Sequence, residues 1–240
     1  MDYSVKKGKP EEQKTDCFIV GAYSEKNLTP TAEILDKKTK GAISRLVERG
    51  DISGKIGDTV LLQDVDKVAA ERILVVGCGK KDRISGDEFI KIANSAAEAL
   101  KRQRSKNALT ALAEVNTSNE KSVQWKISQL VQSVERSNYK YEKFKQKKTP
   151  TKLTRLNIFV EEPLFSPAKK ALRIAKAIAD GLTLTKDLGN CPANICTPTY
   201  LAETALELGT KYESLKVSVL EEADMNKLKM GSLMSVTKGT

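Results

Sequence analysis

From Asp16 to Val160, short runs rich in β-branched and apolar residues alternate with longer segments whose apolar residues recur every three or four positions. The short runs are Asp16–Ala22, Asp58–Leu62, Arg72–Val76, Ala108–Val115 and Thr154–Val160. Each is strand-sized and bounded by turn residues or charge. Between them, Ala32–Arg49, Asp87–Arg104 and Glu120–Ser137 carry helical spacing, the first weakened in its middle by Gly41. Strands interleaved with helices bury both faces of a sheet under helical layers. The predicted fold class is therefore α/β: a three-layer domain with a mostly parallel or mixed sheet flanked by helices, spanning residues 1–165.

Pro163 and Pro167 interrupt regular structure and place a boundary after this domain. Residues 166–188 then read as a connecting helix, with Ala171, Leu172, Ala175, Ile178, Ala179 and Leu182 at three- and four-residue intervals. Residues 189–240 read as the beginning of a second α/β domain. Pro192 and Pro198 predict an extended stretch, followed by a helix at 200–212, a strand at 215–220, a short helix at 221–229 and a strand at 233–236. One main helix and one complete strand cannot enclose a stable core, since units below ~40 residues generally need extra staples. A second domain is opened here and not completed.

The glycines of Gly77-Cys78-Gly79 follow a strand, as in a phosphate-cradling turn, but the third glycine of the dinucleotide fingerprint is missing. The run reads as a tight turn out of the sheet. No apolar run approaches the ~20 residues of a membrane span, and the charged start Met1-Asp2-Tyr3-Ser4-Val5-Lys6-Lys7 lacks the apolar centre of a secretory signal. A cytoplasmic chain without membrane contact is the expectation. Cys17, Cys78, Cys191 and Cys196 are scattered and the chain has no histidine, so free thiols in a reducing compartment are expected rather than a zinc site. The absence of histidine also removes Ser-His and Cys-His chemistry. The net charge of +10 is concentrated at Lys101–Arg104 and Lys140–Lys152. Those segments are where a nucleic acid would bind, but an ordinary basic, solubilising surface is the favoured reading of them.

The run Lys186-Asp187-Leu188-Gly189-Asn190-Cys191-Pro192-Ala193-Asn194-Ile195-Cys196-Thr197-Pro198-Thr199-Tyr200-Leu201-Ala202, followed by Leu206 and Gly209, resembles the segment leading into the catalytic domain of the leucyl (cytosol) aminopeptidases. The closing run from Met230 to Thr240 is similar to that family's methionine-glycine-small-leucine strand. The order of segments agrees from Ile73–Gly79 through the helix before Lys186.

The resemblance implies a hydrolase that removes N-terminal amino acids from peptides, with leucine often favoured. It implies two divalent metal ions, manganese or zinc, that polarise the scissile carbonyl and generate the hydroxide nucleophile, and a homo-hexamer with N-terminal domains outward. The family's ligands are a lysine and carboxylates in Gly-Lys-Gly…Asp-x-Gly-Gly and Asn-Thr-Asp-Ala-Glu-Gly-Arg segments, and neither occurs here. No catalytic, cofactor-binding or metal-binding residue is therefore assigned. Asp187 is expected to hold the bend at the helix end, and Glu203 and Asp224 to be surface carboxylates. The chain is expected to be part of a two-metal aminopeptidase, inactive alone and holding no metal alone. The alternative is a basic module that binds nucleic acid or serves oligomer assembly without catalysis of its own.

Overall fold

A computed structural model describes residues 1–237 apart from 82, 104, 119 and 120. The end of the basic segment at Arg104, the expected helix start at Glu120 and the closing residues 238–240 thus lie outside the described residues. Six strands form one sheet: β1 (Asp2–Lys6), β2 (Cys17–Ala22), β3 (Thr59–Gln63), β4 (Arg72–Gly77), β5 (Asn107–Thr110) and β6 (Arg155–Phe159). Their spatial order is β1-β6-β5-β2-β4-β3, parallel except for β3 against β4.

Strand β2 sits near the centre and every residue of Cys17-Phe18-Ile19-Val20-Gly21-Ala22 is buried. A continuous apolar run is what a strand covered on both faces requires. The two cores divide by alternation along each strand. Phe18, Val20, Ile73, Val75 and Leu109 pack with helices α1 (Pro30–Lys38) and α2 (Ala42–Arg49) on one face. Ile19, Leu74, Val76, Ala108, Leu156 and Ile158 pack on the other with α3 (Gly86–Arg102), α4 (Val123–Asn138) and the first half of α5 (Phe165–Asn190). The expected three-layer α/β architecture is therefore the observed one.

Several elements differ from their sequence expectation, each for a local reason. The helix expected over Ala32–Arg49 is two helices, because Gly41 takes a left-handed φ of 80° and turns the chain between them. The strand expected to run to Val115 ends at Thr110 and gives way to a 3-10 turn at Leu112–Glu114. There the Thr110 hydroxyl accepts the Leu112 N–H at 3.2 Å, drawing the backbone out of the ladder. Pro167 does not interrupt structure, because it falls in the first turn of α5, where a missing N–H breaks no helical bond. Strand β1 was hidden in a charged terminus: it is an edge strand, with Val5 buried and Asp2 and Lys6 exposed, the composition edges tolerate.

Contacts divide the chain into Met1–Thr183 and Leu184–Thr240. The second unit contains α6 (Pro198–Lys211), α7 (Glu222–Lys227) and α8 (Gly231–Thr237). Neither strand expected in it forms. Residues 215–220 form no strand and join no ladder among the described residues, and Val217 instead lies against Gly209 of α6. Residues 233–236 are helical, the Met234 N–H donating to the Met230 carbonyl at 3.1 Å. A lone strand leaves its backbone groups unpaired, whereas a helix satisfies them locally. Met234 is the one buried hydrophobic residue among those described in this unit, while Leu201, Leu206, Leu215, Leu220, Leu228 and Val236 are exposed.

Candidate functional site

The run from Lys186 to Ala202 begins inside α5 and ends inside α6. Asn190 closes α5, its side-chain amide donating to the Lys186 carbonyl at 2.9 Å. The stretch expected to be extended is a tight turn: Ile195 and Cys196 both donate to the Pro192 carbonyl at 2.9 Å, and Thr197 donates to Ile195 at 2.8 Å. Thr197 then caps α6, its hydroxyl accepting from the Tyr200 N–H at 3.3 Å, and Pro198 occupies the first helical position. The two prolines thus build a turn and a helix start rather than an extended linker.

Asp187 lies in the last turn of α5, within the helix rather than in a bend after it, and is half-buried. Glu203 is exposed on α6, and Asp224 belongs to a reciprocal capping box with Glu221 at the start of α7. These three carboxylates serve separate elements. Among the described residues no group of three or more histidine, cysteine, aspartate or glutamate side chains gathers where a metal could be held. The described residues therefore do not fit a two-metal centre. All four cysteines are free, Cys17 and Cys78 buried and Cys191 and Cys196 half-buried.

Gly77-Cys78-Gly79 is not the tight turn expected of it: Gly77 ends β4, the Cys78 N–H still donates to the Ala22 carbonyl at 2.8 Å, and the chain bends only at Lys80-Lys81. A Cβ on Gly77 would overlap the Lys55 carbonyl oxygen, and Gly79 takes a φ of 79°. The basic segment at Lys140–Lys152 is a turn-rich loop, held by the Glu142 carboxylate, which accepts the Thr149 N–H at 3.1 Å.

A part-buried polar cluster at the C-terminal ends of β2 and β5 was not read from the sequence. Glu114 accepts the Thr31 N–H at 3.1 and 3.2 Å, one per carboxylate oxygen, and the Thr31 hydroxyl at 2.6 Å. Lys126 of α4, 8% exposed, donates from Nζ to the Val115 carbonyl at 2.9 Å. Burial pushes the Glu114 carboxyl above the usual carboxylate range, against the opposing hydrogen bonds from Thr31 and Thr29. Burial also pulls the Lys126 ammonium below its ordinary value, with Glu114 acting the other way. The sequence did hold a signal: Glu114 is the single charge in the apolar run Ala108–Val115.

Residues 19–148 match the cytosol aminopeptidase family, N-terminal domain, and residues 183–240 match the cytosol aminopeptidase family, catalytic domain. The chain belongs to the cytosol aminopeptidase family. The second match starts at the residue where contacts divide the two units. A probable cytosol aminopeptidase of Thioalkalivibrio sulfidiphilus is 39% identical over all of this chain and 49% of its own length. One of Nitrosococcus oceani is 37% identical over all of this chain and 48% of its own. The chain thus spans about half the length of the curated relatives it matches. Among solved structures, a tomato leucine aminopeptidase mutant superposes with a TM-score of 0.74 at 24% identity, covering 95% of this chain and 46% of that one. A bottromycin maturation enzyme, BotP, in complex with Mn, gives 0.66 at 21% identity over 89% of this chain and 40% of its own. At such identities these two structures speak for the fold. Among the described residues, no helix is long and apolar enough to cross a membrane.

Proposed function

We propose that this chain is the N-terminal half of a metal-dependent leucyl-type aminopeptidase: an accessory domain at 1–165, a connecting helix at 166–188 and the first units of the peptidase domain at 189–240. The observation that carries this reading is the second unit, which matches the family's catalytic domain and yet exposes its apolar side chains instead of enclosing them. Apolar side chains left open in this way favour a covering partner surface. The whole enzyme releases N-terminal residues from peptides in the cytoplasm as a homo-hexamer, using two divalent ions, manganese or zinc. Its catalytic and metal-binding residues lie in a further part of the enzyme, and none is assigned in residues 1–240.

The test is hydrolysis of leucine anilide with added manganese, by the 240-residue chain and by a chain extended with the remainder of a relative's catalytic domain. Activity in the extended chain alone is the expected result. Robust turnover by the 240-residue chain would overturn the reading.

A further inference from the structure

The sheet reverses its winding between β2 and β5. The chain leaves β2 for α1 on one face, whereas it leaves β4 and β5 for α3 and α4 on the other, and β5 lies across β2 from β4. In open α/β sheets such a divergence leaves a crevice beyond the C-terminal ends of the strands, where a ligand settles against a helix N-terminus. In this chain the loops after β2 and β5 meet there, Thr29 and Thr31 from one and Glu114 from the other.

We infer that Glu114 is a built-in anion that fills this crevice, taking the place at the α1 N-terminus that a bound anionic group would take and fixing α1 to the turn after β5. The donors are arranged for it. Thr29 is the residue before the helix, but its side chain makes no capping bond within α1, and its Oγ1 accepts the Gly21 N–H at 3.2 Å instead. Pro30, the first helical residue, has no N–H. The first free amide of the helix is therefore that of Thr31, and both oxygens of Glu114 receive it while the Thr31 hydroxyl closes on one of them. The helix dipole and charge-assisted hydrogen bonds favour a carboxylate there, against burial, which acts more strongly the other way.

The crevice is also closed by packing. A Cβ on Gly21 would stand 2.6 Å from Thr29 Cγ2 and 2.7 Å from Cys78 Sγ, so the end of β2, the loop before α1 and the segment leaving β4 are already in contact. The consequence is an accessory domain that keeps the doubly wound layout while its usual ligand position serves internal architecture.

Chemical rescue tests this directly. A Glu114→Gly chain is expected to melt roughly 5 °C below the wild type, and its Thr31 amide to exchange hydrogen roughly tenfold faster. Sodium acetate is expected to restore at least half of both losses, sodium chloride at matched ionic strength to restore neither, and the wild type to be indifferent to acetate. Equal effects of acetate on both proteins, or wild-type exchange at Thr31 in the variant, would overturn the proposal. Should Glu114→Gly not fold, Glu114→Gln is measured at alkaline pH, where a charged carboxylate is lost and shape kept. Faster Thr31 exchange than wild type is then expected, and identical exchange overturns the idea.

Discussion

The buried carboxylate of Asp36, in α1, accepts the backbone N–H of Ile43, the second residue of α2, at 2.7 Å. It also accepts the Ser44 N–H at 2.9 Å and the Ser44 hydroxyl. One side chain therefore supplies from outside the cap that Gly41, which has no side chain, cannot give α2. Asp36→Ala strands these donors, and a loss of about 1–3 kcal/mol is expected in urea unfolding. Asp36→Asn retains one acceptor and is expected to lose about half as much. Equal stability of Asp36→Ala and wild type would show that α2 does not depend on this bridge.

Two glycines separate conformational from steric demands. A Cβ on Gly77 would overlap the Lys55 carbonyl oxygen, and that atom is backbone that cannot swing aside. Gly50 closes α2 with a φ of 82°, but nothing lies within 4 Å of an added Cβ. Gly50→Ala is therefore expected to cost only the left-handed penalty, about 1–2 kcal/mol. Gly77→Ala must move the Gly54-Lys55 segment as well and is expected to cost several-fold more or to prevent folding. Thermal melts of both variants decide, and a milder effect at Gly77 than at Gly50 contradicts the packing argument.

What was legible in the sequence was whatever rests on burial. Strand β2 announces itself because all six of its residues are inside, and α3 because a broad apolar face follows Asp87 and Glu88; the reciprocal cap between Ser85 and Glu88 emerges only in the structure. Elements that depend on a partner were not legible. Strand β1 exists because Val5 and its neighbours pair with β6, across more than a hundred residues of chain. Residues 233–236 carry strand-forming composition but have no strand beside them in their unit, so the backbone closes into α8. Glu114 was overlooked because an apolar run with one charge reads as a strand, and its role appears only when Thr31 is brought across the sheet to meet it.

The four thiols divide into two pairs. Burial pushes Cys17 and Cys78 up to about 12, whereas Cys191 and Cys196 are half-buried in the turn after α5. The thiolate is the reactive form. Iodoacetamide at mildly alkaline pH is expected to modify Cys191 and Cys196 in the folded chain and all four after denaturation. Labelling of Cys78 in the native protein, read by peptide mass mapping, would contradict the closed crevice beside Gly21.

The Glu114 carboxyl sets a pH dependence whose sign follows from its cause. Burial raises its folded value above the ordinary carboxylate range, so the folded chain holds this proton where the unfolded chain has lost it. Its contribution is most favourable at low pH and is lost as pH rises through the interval between the unfolded and folded values. The groups around it are the hydroxyls of Thr29 and Thr31 from the α1 side, Glu161 after β6, Lys126 from α4 and the Cys78 thiol at the end of β4. Lys126, lowered by burial, acts oppositely and at higher pH, adding stability as pH approaches the unfolded lysine value. Glu114→Gln is expected to flatten the acid-side slope in urea unfolding and, by removing the charge that holds the Lys126 ammonium up, to steepen the alkaline one. An unchanged acid-side slope would remove Glu114 as its source.

The apolar side chains of the second unit give the last prediction. Its described residues enclose Met234 alone among hydrophobic groups, so the unit contributes little burial free energy of its own. The cores of the sheet domain draw on α5 no further than Ala179. A chain ending at Asn190 is therefore expected to keep the melting temperature of the 240-residue chain within about 2 °C, while losing most of its binding of an apolar dye such as ANS. Extension into the rest of the catalytic domain is expected to lose the dye binding too, but by covering Leu201, Leu206, Leu215 and Leu220 rather than deleting them. Dye fluorescence that survives the extension would mean that this face is not the inner surface of the peptidase domain, and the reading of residues 189–240 would fall with it.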